Sequence, residues 1–282
     1  MITVWLLTAV PLFAATAKRT GWHGETLPEG LERAEAEGDY LWGKDQAVMV
    51  YIPAGSFPMG SEKGSRDEKP VHEVHLDAYY IDKYEVSWGQ WKASKLPYSD
   101  SIQSRDPLPK PPDWGIIDNH PMLNVTWKDA KNYSSWAGKS LPTEAQWEKA
   151  ARGTDGREFP WGDQDPTFDH AIWRHHPMGQ TSTGTVDCCA AGASPYGVFN
   201  MAGNIYEWCE DVYDKTFYAR SPKRNPVNLE PPTKGDAPGI YRVLRGGALV
   251  LEVEDMRSAY RYRLLEKDRT PYIGFRTVLN IP

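Results

Sequence analysis

Glycine and proline interrupt this chain so often that long helices and strands are excluded. The 282 residues include 24 glycines and 23 prolines, together about one residue in six. The chain also carries 12 tryptophans and 15 tyrosines, whose large side chains can hold irregular backbone in place. A chain of this length can bury a substantial core. The composition therefore predicts a loop-rich globular protein and excludes a helical bundle or a disordered chain.

Charge and hydropathy limit the partners and the compartment. The net charge of -6 is small and both signs are interspersed, so no basic stripe predicts nucleic-acid binding. Residues 1–17 form a short apolar run ending in Ala15-Thr16-Ala17, the pattern of a signal-peptide cleavage site. We expect a signal peptide and a periplasmic or secreted protein; the alternatives are a misassigned start codon and a buried apolar N terminus. No later segment predicts a transmembrane helix, and nothing in the sequence predicts an oligomeric state.

The cysteines allow two interpretations. Cys188, Cys189 and Cys209 are an odd number, so at least one thiol stays outside any disulfide bond within the chain. Adjacent cysteines bond each other only with strain, so one interpretation joins Cys188 or Cys189 to Cys209. The other is three buried thiols that behave as small apolar residues. Their spacing does not match a zinc site.

Periodicity predicts short strands in a single domain. Residues 48–52 are an apolar run of the strand type, and alternation over residues 71–78 predicts a strand with one buried face. The last strand is expected at residues 274–279. We place an N-terminal arm, lying on the domain, at residues 18–45 and the domain itself at residues 46–282.

Capping signals predict three short helices, at residues 88–94, 127–137 and 144–152. Ser87 and Gln90 form a capping box, in which side chains and backbone amides bond reciprocally. Thr143 and Gln146 form a second one, and Thr126 caps the middle helix. Helices this short do not persist alone, so packing must hold them.

The segment from Asn200 to Glu207 is the best candidate for a metal site. Calcium binds six to eight oxygens from carboxylates, amides and backbone carbonyls. Asn200 and Glu207 supply side-chain oxygens, and Gly203 and Asn204 let the backbone turn between them. A structural turn that caps a strand is the alternative. Solvated or hydrogen-bonded side chains, rather than metal ligands, are expected at His72, His75, His120, His170, His175 and His176.

A set of motifs, in order along the chain, resembles the formylglycine-generating enzyme (sulfatase-modifying factor) family. The motifs lie at residues 52–60, 67–72, 84–87, 121–127, 141–148, 159–162, 197–208, 245–248, 257–264 and 274–276. Each motif alone is weak, but their shared order is specific. The resemblance implies an α+β domain with a C-type-lectin-like fold and a low content of regular secondary structure.

The resemblance also implies one metal site and removes another. It places calcium between the side chains of Asn200 and Glu207 and the carbonyls of Gly203 and Ile205. In the catalytic members of the family, two cysteines that flank a Tyr-Arg-Tyr-Arg run bind copper. Those positions here hold Ala259 and Leu264. Since neither side chain can bind a metal, no copper is expected, and no catalytic residue is assigned.

Polar residues around the missing copper site predict a ligand groove. The candidates are Arg245, Ser258, Tyr260, Arg261 and Arg263. Arginine makes bidentate contacts with carboxylates, so an extended peptide, a protein segment or an anionic ligand would suit them. The alternative is that the arginines pair with acidic residues inside the fold.

The sequence therefore predicts a calcium-stabilised, exported binding or scaffold domain. A second hypothesis is an oxidoreductase of different chemistry that matures a secreted peptide or a siderophore-like product. A third is a formylglycine-generating oxidase that acts on a sulfatase cysteine. The second and third hypotheses follow from the resemblance alone.

Overall fold

Short helices and strands alternate along the chain, as expected for the α+β class. The structure, a computed structural model, describes residues 19–101, 103, 107–231 and 239–281; the signal peptide predicted at residues 1–17 lies outside this part. The helices are α1 (Trp88–Ser94), α2 (Trp127–Trp136) and α3 (Glu144–Arg152). The strands are β1 (Leu31–Arg33), β2 (Asp39–Trp42), β3 (Ala47–Ile52), β4 (Gly55–Met59), β5 (His72–Leu76), β6 (Tyr79–Asp82), β7 (Tyr206–Val212), β8 (Tyr241–Arg245), β9 (Tyr262–Leu265), β10 (Ile273–Gly274) and β11 (Val278–Asn280). In these ranges, no helix is long and apolar enough to span a membrane.

The three helices begin where their caps predict. α1 and α3 have the predicted bounds, and α2 ends one residue early. Ser87, Thr126 and Thr143 each accept a hydrogen bond from the backbone amide three residues further on. Each cap stabilises its helix by about 1 kcal/mol. Since every helix is short, burial against the sheets supplies the rest.

The first sheet joins the two ends of the domain. Its strand order is β1-β2-β3-β6-β11, and all its pairs are antiparallel. The arm predicted at residues 18–45 supplies β1 and β2, so it extends this sheet by hydrogen bonding. The indole of Trp42 donates to the carbonyl of Ala137 at 2.7 Å, which ties the edge of the sheet to the end of α2.

The second sheet, ordered β10-β7-β8-β9, carries most of the candidate site residues. The strand predicted at residues 274–279 is divided between β10 and β11. The chain leaves β7 after Gly274 and joins β6 at Val278, so residues 275–277 cross from one sheet to the other. β4 and β5 form a separate hairpin, in which Val74 and Leu76 are buried as the alternation predicted.

Helix α3 packs between the β4–β5 hairpin and the second sheet. Its own Trp147, Ala150 and Ala151 point into the core. Nearly every other side chain of the helix is buried too. Glu144 and Glu148 are therefore carried into the interior, where each needs a charged partner.

Candidate functional site

A buried turn, which we call the 200–207 turn, leads into β7. Asn200, Gly203 and Asn204 have φ angles of 54°, 74° and 60°, in the left-handed region that asparagine and glycine tolerate best. A Cβ at Gly203 would lie 2.4 Å from the carbonyl oxygen of Ile172. Only glycine fits there. The backbone of the turn therefore lies close to Ile172, and all three residues are buried.

Glu207 forms a fully buried ion pair with Arg276. Nη2 and Nε of Arg276 donate to Oε1 and Oε2 of Glu207 at 2.6 and 2.7 Å. The indole of Trp147 donates to Oε2 at 2.8 Å. Neither side chain of the ion pair reaches solvent. Because Oε2 accepts two donors and Oε1 only one, Oε1 keeps a lone pair for a further partner.

A second buried carboxylate, Glu85, contacts the 200–207 turn. The side-chain amides of Asn200 and Asn204 each donate to it at 2.9 Å. Burial raises the pKa of Glu85 to about 8, against the attraction of Arg276 and with added repulsion from Glu207. Near neutral pH the buried Glu85 side chain is therefore mostly protonated.

The oxygens of the 200–207 turn fit a hard cation. In the described part of the chain, no hydrogen-bond donor reaches the buried carbonyls of Gly203 and Ile205. Buried carbonyls without a donor are uncommon. Oε1 of Glu207 and Oδ1 of Asn200, which accepts only the weak S–H donor of Cys188 at 3.4 Å, are further oxygens of the kinds that calcium prefers. A cation bound there would also favour the ionised form of the nearby Glu85, whose pKa burial raises to about 8.

A second buried network joins α3 to β8 and to the segment before β9. This Arg245 network consists of Arg245, Arg261, Glu144 and Glu148, whose side chains are at most 2% exposed. Arg245 donates to Glu144 at 3.0 Å and to Glu148 at 2.6 Å. Arg261 donates to both oxygens of Glu144, at 2.7 and 2.8 Å. Although burial opposes ionisation, Arg261 and Arg245 hold the pKa of Glu144 below its usual value.

The five residues predicted to line a groove do not share one surface. Arg245 and Arg261 lie inside the Arg245 network, and Ser258 is fully buried. These three side chains therefore do not contact a ligand in this conformation. Arg245 and Arg261 instead pair with buried acidic residues, which is the alternative considered from the sequence. Tyr260 is half-buried, and Arg263 is exposed on β9.

The exposed remainder of the predicted groove is the β9 surface, formed by Tyr262 and Arg263. The guanidinium of Arg263 lies 4.7 Å from the ring centre of Tyr213 and 5.5 Å from that of Tyr241. Tyr262 is 40% exposed and stacks on Tyr206 at 5.0 Å. Within the described ranges Arg263 forms no ion pair, so its donors can reach an anionic ligand.

Ala259 and Leu264 occupy the positions at which the resemblance would place copper ligands. Ala259 is 3% exposed. Leu264 packs on the core cluster that contains Tyr206 and Leu244. Apolar packing therefore fills the space beside the Tyr-Arg-Tyr-Arg run. Among the residues that the structure describes, no group of three or more His, Cys, Asp or Glu side chains could hold a metal ion.

The cysteines are free thiols, and the disulfide bond considered between Cys188 or Cys189 and Cys209 is not formed. Cys209 is buried in β7, whereas Cys188 and Cys189 are partly exposed. The histidines are hydrogen-bonded, as expected. The residues with these bonds are His72, His75, His120, His170, His175 and His176.

Asp211 makes the stability of the fold depend on pH. This residue of β7 accepts hydrogen bonds from the backbone amides of Glu144 and Asn228, both at 2.8 Å. Burial, with repulsion from Glu144, raises the pKa of Asp211 from 3.8 to about 7. Between these values the folded state holds a proton that the unfolded chain has released, so stability falls as the pH rises through this window.

We expect the raised pKa of Asp211 to cost up to about 4 kcal/mol between about pH 4 and pH 7. Asp211→Asn should lose much less stability over this range, because its amide does not titrate. Urea unfolding at a series of pH values measures the difference. Asp77→Asn, at an exposed position, should keep the slope of the unchanged protein. Identical slopes for Asp211→Asn and the unchanged protein would show that Asp211 is not the group responsible.

Comparison with known proteins shows which class of protein has this fold. The α+β fold matches the solved structure of PvdO from Pseudomonas aeruginosa with a TM-score of 0.72 and 27% identity, over 88% of this chain and all of that one. A formylglycine-generating enzyme from Thermomonospora curvata is 33% identical, over 76% of this chain and 86% of the relative. Pkn1 of Chlamydia pneumoniae, named a serine/threonine-protein kinase, is 35% identical over 83% of this chain. This chain covers only 38% of that relative.

The family follows from a match over most of the chain. The model of the sulfatase-modifying factor enzyme 1-like domain matches residues 42–281. The chain therefore belongs to the sulfatase-modifying factor family, which confirms the family inferred from the order of its motifs. The match begins in β2, so part of the N-terminal arm belongs to the matched domain.

Proposed function

We propose that this protein is an exported, calcium-stabilised binding or scaffold domain built on the sulfatase-modifying factor fold. The observation that carries the proposal is the apolar pair Ala259 and Leu264 at the positions of the copper ligands. The copper site of the family's catalytic members uses two thiolates, which are ligands that Cu(I) favours, and both thiolates are missing here. The Arg245 network, which contacts the carbonyl of Ala259, and the Arg276–Glu207 ion pair at the end of the 200–207 turn are nevertheless present. A retained scaffold without the metal ligands favours binding over oxidation.

The ligand that we propose is an extended peptide with acidic side chains, held at the β9 surface. The planar guanidinium of Arg263 suits bidentate contact with a carboxylate. Its position over the rings of Tyr213 and Tyr241 holds it in place, which lowers the entropy lost on binding. The exposed ring of Tyr262 supplies an apolar contact beside it.

Metal content and oxygen uptake test this proposal together. The protein would be purified without chelator, its metals measured by mass spectrometry, and oxygen uptake followed with a cysteine-containing sulfatase peptide, with and without added copper. We expect about one calcium per chain and no peptide-dependent oxygen uptake. Stoichiometric copper or iron, or uptake that requires the peptide, would favour an oxidoreductase instead. The product would then distinguish formylglycine formation from maturation of a secreted peptide or siderophore-like compound.

Removal of calcium is expected to lower the melting temperature. A ligand at about a hundred times its dissociation constant stabilises the folded state by about 2.7 kcal/mol. For a domain of this size, the corresponding shift is about 5–10 °C. Differential scanning calorimetry in calcium and in excess chelator measures it. An unchanged melt would contradict the calcium proposal without affecting the oxygen-uptake result.

Two asparagines of the 200–207 turn provide a matched pair of variants. Asn200→Ala removes a proposed calcium ligand and should abolish most of the chelator effect. Asn204→Ala removes a comparable hydrogen bond to Glu85 but no proposed ligand, so it should keep the effect. Both residues have left-handed φ angles, and the backbone cost of the two substitutions is therefore similar. Equal chelator responses in the two variants would place calcium elsewhere.

A further inference from the structure

Two adjacent thiols lie in the loop that precedes the 200–207 turn. Sγ of Cys188 and Sγ of Cys189 are 3.1 Å apart. Neighbouring residues in an extended chain point to opposite sides, but Cys189 has a φ of 57° and a ψ of 46°. This left-handed conformation is uncommon for a residue with a side chain, and it accompanies two sulfurs in contact. Both residues are partly exposed, so a small reagent can reach them.

The surroundings of the two thiols permit closer approach. A Cβ at position 184 would lie 2.6 Å from Sγ of Cys188, so Gly184 provides the necessary space. In the described part of the chain, neither the carbonyl of Cys188 nor the amide of Cys189 makes a hydrogen bond. The backbone on either side is held by hydrogen bonds. The amide of Cys188 donates to the carbonyl of Thr185 at 3.1 Å, and the amide of Gly192 donates to the carbonyl of Cys189 at 2.8 Å. The joining peptide group can therefore twist without losing a hydrogen bond.

We propose that Cys188 and Cys189 form a reversible disulfide bond with each other. A disulfide bond is about 2 Å long, so the sulfurs must approach by about 1 Å. A ring closed between adjacent residues is strained, and strained, accessible disulfides are readily reduced. The pair is therefore a site of reversible oxidation and not a stabilising crosslink.

A low-molecular-weight disulfide is the oxidant in this reaction. The thiolate of Cys189 attacks one sulfur of the oxidant, forms a mixed disulfide and releases one thiol. The thiolate of Cys188 then attacks Sγ of Cys189, breaks the mixed disulfide and releases the second thiol. The two cysteines lose two electrons and two protons, and the oxidant becomes two thiols. The neighbouring Cys188 thiol can hydrogen-bond a Cys189 thiolate and so lowers the pKa of Cys189, which favours Cys189 as the first nucleophile.

Oxidised glutathione is the probe for the test. The reduced full chain would be treated with it under native conditions, alkylated after denaturation, digested and analysed by mass spectrometry. We expect the fragment that contains Cys188 and Cys189 to lose two hydrogen atoms and take up no alkyl group. Cys209 should remain a thiol and become alkylated. Treatment with dithiothreitol before alkylation should restore both modification sites in the fragment.

Single serine variants separate the two steps. Cys189→Ser removes the first nucleophile and should react with glutathione more slowly than Cys188→Ser. Cys188→Ser should accumulate a stable glutathione adduct at Cys189, which the unchanged protein resolves. The proposal is overturned by a persistent adduct on the unchanged protein, by a bond to Cys209, by a dimer linked through these residues, or by thiols that stay reduced.

Discussion

Arg276→Met is expected to destabilise the fold by about 3–5 kcal/mol, a large part of the stability of a typical domain. In excess chelator, the substitution leaves Glu207 buried without a counter-ion. It also removes the cation that favours ionisation of Glu85. Methionine has a similar length and no charge, so lost packing contributes less than the unpaired carboxylate. Urea unfolding followed by circular dichroism measures the change.

The matched control for this substitution is Arg224→Met. Arg224 pairs with Asp77 at the surface, where the side chains are 64% and 51% exposed. An exposed ion pair contributes little because water solvates both charges after separation, and we expect a loss below about 1 kcal/mol. If the two variants unfolded at the same urea concentration, burial of the Arg276 ion pair would not be the source of its effect.

Local signals were sufficient to predict the helices but not the path of the last strand. A capping box such as Ser87 with Gln90 depends only on residues within one turn, so the sequence contains the whole signal. Residues 273–278 are buried without interruption while the chain crosses between sheets. The partner of each half, β7 or β6, is set by residues distant in sequence. Periodicity within one segment does not contain that information.

Sequence reasoning left open which charged residues of the candidate site are buried. The motif around Glu85 was recognised, but its place beside the 200–207 turn depends on contacts across more than a hundred residues. The guanidiniums of Arg261 and Arg263 both lie over the ring of Tyr213, at 5.0 and 4.7 Å from its centre. Alternation did not show that Arg261 alone is buried, because that outcome is set by Glu144 on α3. The sequence did contain one signal for this outcome. Glu144 is an acidic residue at a position of α3 that faces the core, and buried acids are almost always paired.

Glu144→Gln is the second substitution for which we expect a loss of about 3–5 kcal/mol. Arg245 would keep Glu148 as a partner. Arg261 would lose its only carboxylate among the described residues and keep the carbonyl oxygens of Asp67 and Asp214. A nearly fully buried guanidinium would then lack a counter-ion. Glu210→Gln is the control, since its partner Lys131 is 25% exposed, and we expect less than about 1 kcal/mol there.

A double-mutant cycle shows whether the unpaired charge or the lost contact causes this destabilisation. Arg261→Met removes the guanidinium, so Glu144→Gln made in that background no longer leaves a buried charge without a partner. We therefore expect the double variant to be more stable than the sum of the single losses predicts, with a coupling of about 1–3 kcal/mol. Urea unfolding of the four proteins provides the measurement. Additive losses would mean that Glu144 and Arg261 contribute independently, and that the Arg245 network is held together by its carbonyl contacts and packing. A large coupling would mean that the interior beside the β9 surface depends on the balance of charge between Glu144 and Arg261.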